Sequence, residues 1–288
     1  MKTLITGATG FLGGGLARRL LADGADVEVI VRDAAAPRSR ELAAAGAVVR
    51  VATDSTDVHA AVEESGANAI AHLATHYLRS HTPSDIAPLA RANIEFGTSV
   101  LDAAASLGAP VVMASSFFQF RAGAPHPASL YAATKQAFST IAEYYRAERD
   151  LVVRDVVFYD TYGPGDTRDK LVPLLARAAT TGETLRLGAS QQRINLTYLD
   201  DVAAGLIALL REAAPARTTI RAGNPVTVAD VVETMRDAGA KNLDVVFNES
   251  APVNDLPLMA GDWPAPPGWE PRVELREGLR RVLAATHP

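Results

Sequence analysis

The pair Ser115-Ser116 closes an apolar run, and fifteen positions after Ser116 stands Tyr131, with Lys135 four residues further on. Residues four apart on a helix share one face, one turn from each other. A free phenol has a pKa of about 10, too high for proton transfer at neutral pH, and a neighbouring ammonium stabilises the phenolate and pulls that value down. The three side chains therefore read as a catalytic set. Ser116 donates to a substrate carbonyl, Tyr131 delivers a proton to its oxygen, and Lys135 tunes Tyr131. Such chemistry needs a hydride donor.

The start of the chain offers a cradle for one. Thr6-Gly7-Ala8-Thr9-Gly10-Phe11-Leu12-Gly13 follows the short apolar strand Leu4-Ile5 and precedes Leu12, Leu16, Leu20 and Leu21 at helical steps. Glycines there let the backbone turn sharply and approach a pyrophosphate, which then sits at the helix N-terminus among unpaired amide donors. The spacing, G-x-x-G-x-x-G, is one residue wider than G-x-G-x-x-G. A second strand, residues 25–31, ends in Val31-Arg32-Asp33, with Arg38 and Arg40 close behind. Where an NAD site places a carboxylate on the ribose 2′-hydroxyl, Arg32 suits a 2′-phosphate. This favours NADP, as NADPH, over NAD, while Asp33 keeps NAD open.

Strands and helices then alternate. Strand 47–51 leads to Asp54, strand 69–74 follows an alanine-rich helix, and a long helix over 86–105 carries Asn93. Residues 110–114 form the strand ending at Ser115-Ser116, a helix from Ser129 carries Tyr131 and Lys135, and strand 152–158 runs into the turn from Asp160 to Gly165. This order predicts an α/β fold, a doubly wound parallel sheet with right-handed crossovers and ligands at the carboxyl ends of its strands. Past 165 the alternation breaks down: helix 170–181, strand Leu185–Leu187, segment Arg193–Leu199, helix 200–212, helix Val228–Ala238, strand Asp244–Phe247, the proline-rich stretch Pro252–Pro271 and a last helix. Residues 1–165 are expected to form the dinucleotide-binding Rossmann domain, with 194–215 returning to it. Residues 166–193 and 216–288 are expected to form a smaller C-terminal substrate-binding lobe.

Composition narrows the function. A chain of 288 residues that is 48% apolar suits one α/β domain with a smaller lobe. It has no cysteine, so disulfides and thiolate metal sites are excluded. Its six histidines show no ligand spacing, and no metal is expected. Lys2 and an early glycine-interrupted strand offer no signal-peptide core, and no stretch is long and apolar enough to span a bilayer, so the expectation is a soluble, cytoplasmic protein without a membrane partner. The net charge of −5 is spread without a basic cluster, which argues against nucleic acid.

The whole set resembles the extended short-chain dehydrogenase/reductases, the NAD-dependent epimerase/dehydratase family. Besides the glycine loop and Tyr131/Lys135, the matching pieces are His72-Leu73-Ala74, Asn93, Tyr162-Gly163-Pro164-Gly165, Leu199-Asp200-Asp201-Val202 and Pro267-Gly268-Trp269-Glu270-Pro271. The resemblance implies cofactor contacts from Gly7, Thr9, Gly10, Phe11, Leu12, Gly13, Arg32, Asp54, Leu73, Ala74, Thr75, Asn93, Ser115, Tyr131, Lys135 and Phe158. It implies substrate contacts from Thr75, Ser116, Phe117, Tyr131, Asp160, Lys170 and Arg193, with Arg168 a further cation for the substrate diphosphate. Phe117-Phe118 stand where the sugar 4,6-dehydratases carry an Asp-Glu pair, which argues against dehydration. Arg32 argues for an exchangeable NADPH and net reduction. Asp160 replaces the family's usual asparagine, and the run 160–170 with His72–Thr75 looks like the nucleotide-sugar 4-ketoreductases, the CDP-abequose and CDP-paratose synthases among them. The substrate implied is a CDP- or dTDP-linked 4-ketosugar of deoxysugar biosynthesis. A 4-epimerase with tightly bound NAD and a non-catalytic NADP sensor are the alternatives. Helices 86–105 and 129–149 carry apolar residues enough for the intersubunit bundle of a homodimer.

Overall fold

The computed structural model describes residues 1–253 and 260–286. Seven strands, β1 (Lys2–Thr6), β2 (Asp26–Val31), β3 (Val48–Val51), β4 (Ala69–His72), β5 (Val111–Ser116), β6 (Val153–Phe158) and β7 (Arg217–Ile220), form one sheet. They lie in the order β7-β6-β5-β4-β1-β2-β3, and every pairing is parallel. The winding reverses between β1 and β4, so a crevice opens there at the carboxyl ends of the strands. Covered on both faces, the central strands need apolar residues at successive positions, and all six residues of β5 are buried.

Helices fill both faces. On one, Leu16 and Leu20 of α1 (Phe11–Ala22) meet Leu206 and Leu210 of the C-terminal half's Leu199–Arg211 helix. The other face is covered by helices Ser55–Ser65, Phe96–Leu107 and Leu130–Glu148, through Val58, Val62, Leu101, Phe138 and Ala142. A separate apolar cluster joins Leu175, Val231, Met235 and Leu279 from helices Leu171–Thr181, Val228–Asp237 and Leu275–Thr286.

Three features differ from the reading of the sequence. Residues 217–220, expected in the lobe, pair with β6 as the seventh strand; Arg-Thr-Thr-Ile shows little hydropathy, yet its threonines are β-branched and fit a pleat. The helix expected over 86–105 contains a π-helical turn, Arg91–Glu95, between α-helical stretches Ile86–Ala90 and Phe96–Leu107. Finally, part of the stretch Pro252–Pro271 straps back onto the sheet domain. Trp269 is buried in the cluster with Leu206, and its indole donates to the Asp201 carbonyl at 2.8 Å. Residues 254–259 of that stretch, and 287–288 at the end of the expected lobe, lie outside the described residues. No helix among the described residues is long and apolar enough to cross a membrane.

Candidate active site

The turn from β1 into α1 is built for a close neighbour. Gly7 has φ +72°, and a Cβ there would stand 2.6 Å from the Ala74 nitrogen; a Cβ on Gly13 would stand 2.3 Å from the Gly7 carbonyl oxygen. Only glycine lets β4, the turn and the helix approach this closely. The helix N-cap, Gly10, offers no side-chain cap, so the amides of the first turn are left for an anionic ligand. This cradle fits a dinucleotide diphosphate.

From the cradle a cleft of about 990 Å³ runs along the carboxyl ends of the strands. At one end Arg32 lines it and is exposed, while Asp33 turns away: its carboxylate accepts from the Ala35 N–H at 2.8 Å. Arg38, also in the wall, donates to the Thr9 carbonyl at 2.8 Å. Asp54 lines the same end and caps the helix Ser55–Ser65 by accepting from the Asp57 N–H at 2.9 Å.

The other end holds the hydroxyl groups. Ser116 ends β5 and caps the short helical turn Phe117–Gln119, with Gln119 returning a bond to the Ser116 N–H at 2.9 Å. Ser129 caps the helix Leu130–Glu148, placing Tyr131 and Lys135 in its first turns with both side chains buried against the cleft. The hydroxyls of Thr75 and Ser116 stand near the Tyr131 hydroxyl. Burial pushes its pKa up to about 12, against the pull of those two hydroxyls and of the Arg168 charge. Burial likewise pushes Lys135 down to about 8, opposed by the Asp155 carboxylate.

The expected lowering of the Tyr131 pKa by Lys135 is therefore not what the geometry produces. Loss of solvation outweighs every stabilising neighbour, and the phenol keeps its proton at neutral pH. The phenol thus carries a proton to give, while its raised pKa makes it a weaker acid than a free phenol. Within reach of the Lys135 charge, His72 is buried at the end of β4, pairs with the Thr6 hydroxyl at 2.9 Å and packs against the rings of Phe96 and Phe138; burial, then the Lys135 charge, hold it neutral with a pKa of about 3.

The cleft gathers Gly7, Thr9, Gly10, Phe11, Leu12, Gly13, Arg32, Asp54, Leu73, Ala74, Thr75, Ser115, Ser116, Phe117, Tyr131, Lys135, Phe158, Asp160 and Lys170. Two expected residues are not in its wall. Asn93 is buried behind it, in the π turn, with its amide spent on His76, Thr75 and Thr134. Arg193 is exposed on the short strand Arg193–Ile194, because alternation along a strand sends its side chain opposite to Ile194, which packs into the lobe's apolar cluster. In its place Arg168 enters the wall, stacked 4.3 Å from the Phe11 ring centre and held by both Asp166 oxygens at 2.7 and 2.8 Å.

Tyr77 and Tyr159 were missed. Tyr77 sets its ring edge-on to Tyr131 at 5.0 Å, and Tyr159 stacks on Phe117 at 5.2 Å. Tyr159 directly follows β6 and Tyr77 lies in the loop that leaves β4, both at the carboxyl ends of strands where side chains face a crevice, and that position was the available signal.

The sheet order, the glycine cradle and the Ser116, Tyr131 and Lys135 arrangement define a dinucleotide-binding fold of the short-chain dehydrogenase/reductase type. Residues 3–223 match the model of the NAD dependent epimerase/dehydratase family, and the chain belongs to that family. It is 26% identical over 310 residues to the CDP-abequose synthase of Salmonella typhimurium, covering 97% of this chain and 96% of that one. It is 27% identical over 310 residues to the UDP-glucose 4-epimerase of Mycolicibacterium smegmatis, covering 98% and 97%. In fold it is similar to the UDP-glucuronic acid 4-epimerase of Bacillus cereus, solved with UDP-glucuronic acid and NAD, with a TM-score of 0.83 at 19% identity over 99% of both chains.

Proposed function

We propose that this protein is an NADPH-dependent ketoreductase that reduces a keto group, at C4, of a CDP- or dTDP-linked deoxysugar. The observation that carries this reading is the pairing of roles at the two ends of one cleft. Protonated Tyr131 meets Thr75 and Ser116 at one end, and Arg32 replaces a ribose-binding carboxylate at the other. The bound dinucleotide supplies the hydride. Ser116 holds the substrate carbonyl, Tyr131 gives its proton to the oxygen, and Lys135 holds the nicotinamide-side ribose and replaces charge as the phenolate forms.

The similarity to CDP-abequose synthase over nearly the full length of both chains supports the reductase, and Phe117-Phe118 leave no carboxylate beside Ser116 for an elimination. The equally full-length likeness to a UDP-glucose 4-epimerase supports a second reading, in which a bound NAD is recycled. The smaller lobe, residues 166–193 with 216–286 apart from β7 and the strap, would cover the sugar; the homodimer expected through helices 86–105 and 129–149 gains no support, because Val100, Leu101, Phe138, Ala142 and Tyr145 pack into the subunit's own core. The test is oxidation of NADPH by the purified protein with CDP- and dTDP-linked 4-keto-6-deoxysugars. Wild type should turn over and Tyr131→Phe should lose about a hundredfold or more in kcat. Interconversion of C4 epimers without added cofactor would instead select the epimerase.

A further inference from the structure

We propose, resting on the nucleotide-sugar reading above, that Asp160 is a charge filter at the sugar end of the cleft: it rejects sugars bearing a carboxylate at C6 and admits those uncharged there. Asp160 opens the short strand Asp160–Tyr162 just past β6 and lines the cleft. Its carboxylate accepts from the Lys170 ammonium at 3.2 Å. That ammonium stands 4.9 Å from the centre of the Tyr77 ring and 5.9 Å from that of Phe118, and Tyr77 in turn packs edge-on against Tyr131. Two side chains thus separate the carboxylate from the reacting phenol. A sugar whose carbonyl reaches Tyr131 would extend along the same cleft wall, which includes this group.

Two of the cations at this end are already matched. Lys170 is bound by Asp160, and Arg168 is bound by both oxygens of Asp166. Lys135, one helical turn from Tyr131, is buried. An incoming uronate therefore meets a carboxylate whose cation is engaged. Were Lys170 to turn to the uronate, Asp160 would lose its partner, so the pair offers no net positive charge for a second carboxylate. The remaining wall is aromatic, with Phe118 stacked on Phe117 at 4.1 Å and Phe117 on Tyr159. Like charges in such a half-buried place repel far more than in water.

The test is calorimetric binding to the NADP⁺-loaded protein of three matched pairs, UDP-, CDP- and dTDP-glucose against the same nucleotides carrying glucuronate. Within the base that binds, wild type should hold the glucoside at least about tenfold tighter, a difference of about 1.4 kcal/mol. Asp160→Asn should bring the two within about twofold, and Lys170→Met should widen the gap, an independent check should the first variant fold poorly. Equal affinity for the members of a pair in wild type, or a ratio unmoved in both variants, overturns the filter alone. Binding of none of the six overturns the filter and the nucleotide-sugar reading together.

Discussion

The side-chain amide of Asn93 donates to the Thr134 hydroxyl at 3.0 Å and so ties the π-helical turn to the helix that carries Tyr131. The same amide donates to the His76 carbonyl at 3.0 Å and accepts from the Thr75 hydroxyl and the His76 N–H at 3.0 and 2.7 Å. The Thr75 hydroxyl in turn stands near that of Tyr131. Asn93 thus positions the helix and loop beside Tyr131, the proposed proton donor, without touching it. Asn93→Ala leaves four groups without their partner and should cost about 2–4 kcal/mol in chemical denaturation. It should also lower kcat about tenfold or more with a smaller change in KM. An unchanged kcat in a destabilised variant would show that Thr75 is held by other means.

Much of this was legible in the residues. Alternating apolar runs located six of the seven sheet strands, and the order of glycine loop, Ser116 and Tyr131/Lys135 located the cleft, because each depends on local period or on a strand end. Asn93 was legible as a position and not as a role. A π turn inserts one residue into a helix without disturbing the apolar spacing on either side, so the wall it turns away from cannot be seen in the letters. Arg193 failed through strand alternation, which exchanges inside for outside with a shift of one residue. The Tyr131 pKa failed because spacing reports a neighbouring charge, whereas burial, the larger effect here, is a property of the packed domain.

Arg32 lies in the cleft wall while the Asp33 carboxylate is bonded to the Ala35 N–H, and on the proposed reading Arg32 is the residue that favours NADPH. A charge-assisted bond to a 2′-phosphate is worth about 1.5–3 kcal/mol. Arg32→Gln should accordingly lower the ratio of kcat/KM for NADPH over NADH by about tenfold to a hundredfold, mostly through KM for NADPH. If the ratio stays where it is in wild type, the 2′-phosphate is held elsewhere, with Arg38 the next residue to change.

Lys135 titrates near 8 because it is buried, and Tyr131 near 12 for the same reason. The phenol therefore keeps its proton across the range in which the ammonium is lost. KM for NADPH should rise as pH climbs through about 8, and this alkaline limb belongs to Lys135 rather than to Tyr131. Lys135→Arg keeps its charge throughout and should move the limb up by more than one pH unit, at lower kcat. Lys135→Met should abolish the limb and leave a uniformly weak NADPH affinity. A limb that stays near 8 in the arginine variant would assign it to another group.

His72 sets the acid side of stability. Its folded pKa of about 3 lies below the ordinary value of 6.5, so between those two values the unfolded chain takes up a proton that the folded chain refuses. The stabilisation is complete above 6.5 and is lost as pH falls toward 3, at up to about 1.4 kcal/mol per pH unit. Carboxylates whose pKa is lowered, Asp57, Asp85, Asp230 and Glu277, begin to contribute only near their ordinary values of about 4, so the window from 6.5 down to about 5 separates His72 from them. His72→Asn removes the titrating ring and keeps a polar group for the Thr6 hydroxyl, at the expense of the contacts with Phe96 and Phe138. It should be less stable at pH 7, and its denaturation midpoint should be nearly flat between pH 6.5 and 5, where the wild-type midpoint falls. Equal slopes in the two proteins would mean that His72 accepts its proton in the folded state, and that the space around the ring is wetter than the packing of Phe96 and Phe138 against it implies.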